Sequence, residues 1–375
     1  MTQAQLRLSP LVGYALDGLR RCWMPERGRY SHRYSFDREP ANESIPGSDI
    51  FYSLNILLGF SRVADEVIRA EIDAGDLYER CCRAAETTPL RIYGYGMALW
   101  AGAALGISPP APLVDRIRTL LTDEPAQVRM TAQDLAMLIS GVVAQSRAGS
   151  DWRPDAERLI ASLRDRYHDP ASGLFYNQAS GYRRSFSSFA SQVYSVLSLY
   201  QYGEVFGQDW AIRLASETAA TLIALQGRRG EWGWFYYVPQ RRIVDFYEVY
   251  SVHQHGMAPA FLHHAVQHGV AGAREALVRG FNWLFGDNEM GISMLRPAER
   301  MFYRSQVRRG ELDRPWRRAV RGVANAALHR ADAVERHAGL VLRRECRSYE
   351  LGWILWSWGG RDDYPELTQR SEFAV

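Results

Sequence analysis

Apolar residues recur along this chain with helical spacing. In SQVYSVLSLYQYGEVF, Val193, Val196, Leu197 and Tyr200 fall at i, i+3, i+4 and i+7. DWAIRLASETAATLIALQG places Ala211, Leu214, Ala215, Leu222 and Leu225 on one stripe, with Asp209 as its N-cap and Gly227 as its stop. REALVRGFNWLFG repeats the pattern through Ala276, Leu277, Phe281 and Leu284 and ends at Gly286. Similar stretches occur near 10–22, 51–70, 76–85, 92–106, 111–121, 130–147, 153–166, 257–269, 315–338 and 349–358. No segment alternates convincingly with period two. Short breaks such as GISPPAP and HDPASG separate the helices, and no long linker or low-complexity segment intervenes. The pattern predicts one all-α domain over residues 1–375, an (α/α) toroid or barrel of about a dozen helices. An extended helical solenoid is the alternative, and the lack of a fixed repeat argues against it.

Composition narrows the picture. The chain has 375 residues and is 47% hydrophobic, enough to bury a large core. It carries no run of about 18 apolar residues, so no membrane span is expected. MTQAQLRLSPLVGYALDGLRR lacks the basic start and apolar core of a signal peptide. Cys22, Cys81, Cys82 and Cys346 show no metal-site spacing and fit a reducing cytoplasm. All 45 basic residues are arginine, so Schiff-base chemistry, a lysine general base and a Walker-type phosphate loop are excluded. A net charge of +3 without a basic tail gives no reason to expect nucleic-acid binding.

The chemistry concentrates in residues 230–259, GEWGWFYYVPQRRIVDFYEVYSVHQHGMAP, where aromatic and titratable side chains alternate closely. Glu231, between Gly230 and Trp232, is a candidate general acid, because a carboxyl beside an indole is partly desolvated. It is otherwise a turn carboxylate paired with Arg228 or Arg229. Asp245 and Glu248 in VDFYEVY offer the two carboxyls that glycoside hydrolysis requires, or else surface partners for Arg241 and Arg242. His253 and His255, flanking Gln254, would lie on one side of an extended chain. His253 is a candidate base near neutral pH and His255 a substrate contact, with helix capping as the alternative. Tyr250 is a second candidate base. His263 and His264 read as structural.

Trp232, Trp234, Tyr236, Tyr237 and Tyr250 could stack on a sugar ring, or pack between helices. Tyr182 and Arg183 in SGYRRSF, and Arg304 in MFYRSQVRR, are candidate contacts for an anionic sugar, since guanidinium forks grip carboxylates in a bidentate manner. Tyr349, at the start of YELGWILWSWGG, is placed to reach a cavity, while Trp353 and Trp356 read as core. Asp362, Asp363 and Glu366 mimic a metal–diphosphate motif, but they follow the last strong helix beside a proline. No metal and no cofactor are predicted.

Four segments carry a family resemblance. LQGRRGEWGWFYY contains Gln226-x3-Gly230-x-Trp232, which is similar to the turns of six-hairpin glycosidases and of (α/α) polysaccharide lyases and epimerases, and to the QW motifs of terpenoid cyclases. FNWLFGDNEMGISM resembles a segment of α/α domains attached to bacterial glycosyltransferases. YEVYSVHQHGMAP with the late CRSYELGW resembles uncharacterised proteins of bacterial exopolysaccharide gene clusters. The resemblance covers roughly residues 170–358. It implies a carbohydrate-active enzyme acting on an acidic or exopolysaccharide-type oligosaccharide or polysaccharide by hydrolysis, β-elimination or epimerisation. An isoprenoid cyclase or prenyl-binding protein is the alternative, weakened by the absence of a D-x-D-D acid motif. A noncatalytic module of a polysaccharide assembly complex is the third reading, and it predicts that the conspicuous aromatics and histidines lie on an exposed face.

Overall fold

A computed structural model describes residues 8–64, 67, 71–314, 316–333 and 339–374. Its longer helices are α1 (Pro10–Cys22), α2 (Ser48–Phe60), α3 (Ala74–Thr87), α4 (Ile92–Leu105), α5 (Ala111–Thr122), α6 (Ala132–Arg147), α7 (Arg153–Ser162), α8 (Phe189–Phe206), α9 (Asp209–Leu225), α10 (Ala258–Gln267), α11 (Ala273–Asn282), α12 (Trp316–Ala327) and α13 (Ser348–Trp358). Six of them form an inner ring in the order α2, α4, α6, α8, α10, α13, and α13 packs back on α2 to close it. Helices α1, α3, α5, α7, α9 and α11 are the outer partners of the hairpins. This is the α/α toroid that the spacing predicts.

Burial explains why stripes alone do not separate inner from outer helices. In α4 every residue from Gly94 to Gly102 is buried, and in α13 every residue from Glu350 to Trp358. A helix apolar all round must be covered all round, which only an inner ring achieves. The outer helix α3 keeps a narrow buried stripe of Leu77, Tyr78, Cys81, Cys82 and Ala85. The four cysteines are buried and free. Among the described residues no helix is long and apolar enough to cross a membrane.

Glycines set two of the ring contacts. A Cβ on Gly96 of α4 would sit 2.4 Å from the Met137 carbonyl of α6, and one on Gly141 would sit 2.5 Å from the Gly96 oxygen. At the closing seam, a Cβ on Gly59 of α2 would lie 2.4 Å from the Gly352 oxygen, and one on Gly352 would lie 2.9 Å from the Ile56 Cα. The helix backbones therefore touch directly. The capping box Thr131–Asp134 starts α6, and Asp134 Oδ1 also accepts the Tyr93 backbone N–H at 3.1 Å, tying the starts of α4 and α6 together.

The structure also contains strands that the pattern does not predict: β1 (Arg33–Ser35), β2 (Asn42–Glu43), β3 (Phe186–Ser188), β4 (Phe235–Tyr237), β5 (Arg242–Asp245), β6 (Val249–Tyr250), β7 (Ser305–Arg308), β8 (Leu340–Arg343) and β9 (Glu345–Cys346). They form three antiparallel sheets, β9-β1-β2, β3-β4-β5 and β6-β7-β8. At two to four residues each, they are too short to show an alternation. Boundaries differ elsewhere too. Helix α9 is preceded by Gln208 with Asp209 already in its first turn, and α11 ends at Asn282, short of Gly286. The stretches near 51–70 and 315–338 are helical at 48–60 and 316–327. Positions 65–66, 68–70, 315 and 334–338 of those stretches, and residues 1–7 of the segment expected to lack a signal peptide, lie outside the described residues.

Gly352→Ala should lower stability by about 1–3 kcal/mol through overpacking of the α2–α13 seam. A lower urea midpoint at unchanged slope would register it; an unchanged midpoint would mean the seam can open without cost.

Candidate active site

The inner helices all begin at one end of the ring, and there they enclose a cavity of about 170 Å³. Phe51 and Tyr52 come from the first two turns of α2, Tyr93 from α4, Gln133 from α6, Ala190 and Tyr194 from α8, Met257 from the residue before α10 and Tyr349 from α13. Trp234, Tyr250, His253 and Arg304 complete the lining. The volume suits one small ring more than an extended ligand.

Local pairing fixes the chemical groups. Tyr250 of β6 lies opposite Ser305 of β7, and Ser251 N–H donates to the Arg304 carbonyl at 2.8 Å, so Tyr250 and Arg304 emerge side by side. The Arg304 guanidinium lies 4.8 Å from the Tyr250 ring centre. Its Nη1 donates to Glu350 Oε1 at 2.6 Å, and Glu350 is fully buried. Burial pushes the Glu350 carboxyl up to about 8 against the pull of Arg304. His253 stacks on Trp234 at 5.8 Å with planes 7° apart, and also meets Phe189 and Tyr250. Burial first, and then the Arg304 charge, lowers His253 to about 3, so its imidazole is neutral at pH 7. Tyr349 packs against Tyr52, which stacks on His32.

Of the residues singled out from sequence, the fold brings Trp234, Tyr250, His253, Arg304 and Tyr349 to this cavity. It does not bring the others. Glu231 is buried in its helix–helix turn, accepting the Arg229 backbone N–H at 2.9 Å. Burial and the neighbouring Glu289 carboxyl raise its pKa. Its neighbour Trp232 is core, stacked on Phe189.

Asp245 and Glu248 are buried, and their partners are not Arg241 and Arg242. Asp245 accepts from Arg308 at 2.9 Å and from Arg318 at 3.3 Å. Glu248 accepts from Arg343 at 2.7 Å and 3.0 Å, from Arg318 at 3.0 Å and from Ser305 at 2.7 Å. Burial raises Asp245 to about 6, whereas the arginines overcome burial and hold Glu248 below its ordinary range. These carboxylates lock α12, through Arg318, onto the sheets behind the cavity.

His253 to Met257 form a single wide π-type turn, not an extended strand. His255 therefore points away from His253, onto Phe302. Tyr237 packs on Phe186 in the β3–β4 sheet. Tyr182 is 91% exposed and Arg183 is exposed beside it. Asp363 and Glu366 pair with Arg361 and Arg274.

Sequence reasoning missed Phe51, Tyr52, Tyr93, Gln133 and Tyr194. Their one shared signal is position, at or near the first turn of a helix buried on all sides. Glu350 was also missed as the group that holds Arg304.

Glu248→Gln should cost roughly 3 kcal/mol at pH 7, because Arg343 and Arg318 lose a buried counter-charge. Since Glu248 sits below its ordinary 4.5 in the fold, its contribution is fully present above that value and fades on acidification. The stability gap between parent and variant, followed by denaturant unfolding, should therefore narrow below pH 4.5. A gap independent of pH would contradict the ionised network.

No family model matches the chain, and no curated protein matches it. Solved structures do. A cellobiose 2-epimerase from Bacillus thermoamylovorans B4167 superposes with a TM-score of 0.63 at 10% identity, over 94% of this chain and 99% of that one. A GH76A α-1,6-mannanase of Salegentibacter sp. HEL1_6, an inactive variant in complex with α-1,6-mannotriose, gives 0.59 at 11% identity over 92% and 97%. A protein named UGL, with dGlcA-Glc-Rha-Glc, gives 0.56 at 13% identity over 93% and 95%. The closed ring of helical hairpins and these neighbours agree: the chain has an α/α-toroid fold.

Proposed function

We propose that the protein is a carbohydrate-active enzyme that moves a proton at a carbon of an acidic sugar, by epimerisation or β-elimination. The observation that carries this reading is the composition of the cavity wall. A neutral imidazole, a guanidinium and several phenols converge there, and among the described lining residues there is no carboxylate. The candidate hydrolytic pair, Asp245 and Glu248, spends its oxygens on arginines instead.

In this reading Arg304 takes the substrate carboxylate in its fork and draws charge from it, which acidifies the adjacent C–H bond. His253 accepts that proton. Its basicity rises once the substrate anion offsets the Arg304 charge, one of the two main causes of its low pKa. Tyr250 or Tyr349 holds the proton that returns to the opposite face in an epimerisation, or that goes to the departing oxygen in an elimination. Trp234 and Tyr52 offer ring faces to the sugar. Glu350 holds Arg304 in place from behind.

The fold neighbours include epimerases and a protein holding a glycan with a dGlcA unit, which supports a sugar substrate. An isoprenoid ligand is less well served, because Arg304, Gln133 and His253 break the apolar lining such a ligand needs. A noncatalytic module is disfavoured by the enclosure of Trp234, Tyr250 and His253 in a cavity. The free buried cysteines support a cytoplasmic location.

Incubation with uronate-bearing oligosaccharides in D2O, read by NMR, tests the proposal. Deuterium should enter the carbon beside the carboxylate, or an unsaturated product should form. His253→Ala and Arg304→Gln should each slow this by about 10²–10⁴-fold while remaining folded. Release of new reducing ends with no deuterium uptake and no unsaturated product would show hydrolysis and overturn the reading.

A further inference from the structure

The opposite end of the inner ring holds a second cavity, of about 570 Å³. It is lined from the C-terminal halves of α4, α6, α8, α10 and α13, and from Arg62 just past α2. It shares no residue with the first cavity.

Its apolar wall is a pair of indoles. Trp100 and Trp356 meet edge to face at 5.3 Å, and both are largely buried. The Arg62 guanidinium lies 5.2 Å from the Trp356 ring centre. Arg147 stands near it on α6, and both arginines are exposed to the solvent side of the cavity. Among the described residues, no carboxylate pairs with either. The one carboxylate on the wall, Glu204, is already used: its Oε1 takes hydrogen bonds from His264 at 2.7 Å and His268 at 2.9 Å. Both imidazoles stack on Tyr200.

The two arginines are thus an unneutralised pair. The packing of its stem against Trp356, which partly desolvates the otherwise exposed guanidinium, and then the charges of Arg147 and Arg361, lower the Arg62 pKa, and among the described residues no acid pairs with it. Carbonyls at the helix ends add partial negative charge, but that effect fades within about one turn, and the formal positive charge at the rim belongs to the guanidiniums, while the Glu204 carboxylate is hydrogen-bonded to its two imidazoles. An incoming oxyanion relieves the repulsion, and its ring can rest on the Trp356–Trp100 wall. We propose that this mouth is a second ligand site, for a ring-bearing oxyanion of sugar size, either a phosphorylated sugar or a uronate. The oxyanion sits between Arg62 and Arg147, and the ring rests against Trp356. Trp353 joins the two mouths, touching Trp100 and Trp356 on this side and Tyr194 of the first cavity on the other.

Calorimetric titration of the whole protein with glucose 6-phosphate, galacturonate, inorganic phosphate and cellobiose tests this. At least one of the two ring-bearing anions should bind, more tightly than inorganic phosphate or cellobiose. Which of the two binds identifies the oxyanion. That binding should persist in Arg304→Gln, which removes the uronate's anchor in the first cavity, and in that background it should fall at least tenfold on adding Arg62→Gln/Arg147→Gln or Trp356→Leu. The arginine variant alters exposed side chains, and an unchanged melting curve would confirm that it is folded. Three outcomes would overturn the proposal: no binding of either ring-bearing anion, equal binding of inorganic phosphate, or loss of binding in Arg304→Gln with the double variant unaffected.

Discussion

The candidate site depends on one buried guanidinium held against one buried carboxyl. Arg304 has 15% of its side chain exposed, and Glu350 has none. A guanidinium at that depth has little water around it, and the Glu350 oxygen that accepts from Nη1 takes the place of that hydration. Their elements are far apart in sequence: Arg304 precedes β7 and Glu350 lies in the first turn of α13. In the closed ring, α13 lies against α2 at the glycine seam and presents Glu350 to Arg304. Closure also delivers Tyr349 to the cavity, one residue before the carboxyl that fixes Arg304.

Arginine, the chain's only strong base, does the remaining electrostatic work. Arg308, Arg318 and Arg343 gather Asp245 and Glu248 into a buried network, and Arg318 also lies over Trp234 of the cavity wall. A lysine in any of these places could present only a point charge, whereas Arg343 donates to both Glu248 oxygens at once. The network is structural in what it touches. Its effect on chemistry is to hold β5, β6 and β7, with Tyr250 reaching inward from β6 and Trp234 from the residue before β4, the strand paired with β5.

The fold class was legible in the sequence because inner and outer helices both carry apolar residues at helical spacing. Part of the site was legible for a simpler reason: Trp234, Tyr250 and His253 cluster within one segment. The carboxylates misled because sequence proximity says nothing about partners, and Arg308, Arg318 and Arg343 lie roughly sixty to a hundred residues downstream. His255 misled because the chain there turns as a wide helix instead of extending. Tyr52, Tyr93 and Tyr194 were hidden by burial: in a helix covered on every side, a residue facing a cavity looks the same as one facing a neighbour.

The most direct test of the account is a crystal structure of the protein with a bound uronate-bearing oligosaccharide. The account predicts an acidic sugar in the cavity at the helix N-termini, its carboxylate on Arg304, its ring beside Trp234 and the adjacent carbon within reach of His253. A sugar seated elsewhere, with that cavity empty and Arg304 facing only Glu350 and Glu345, would contradict it.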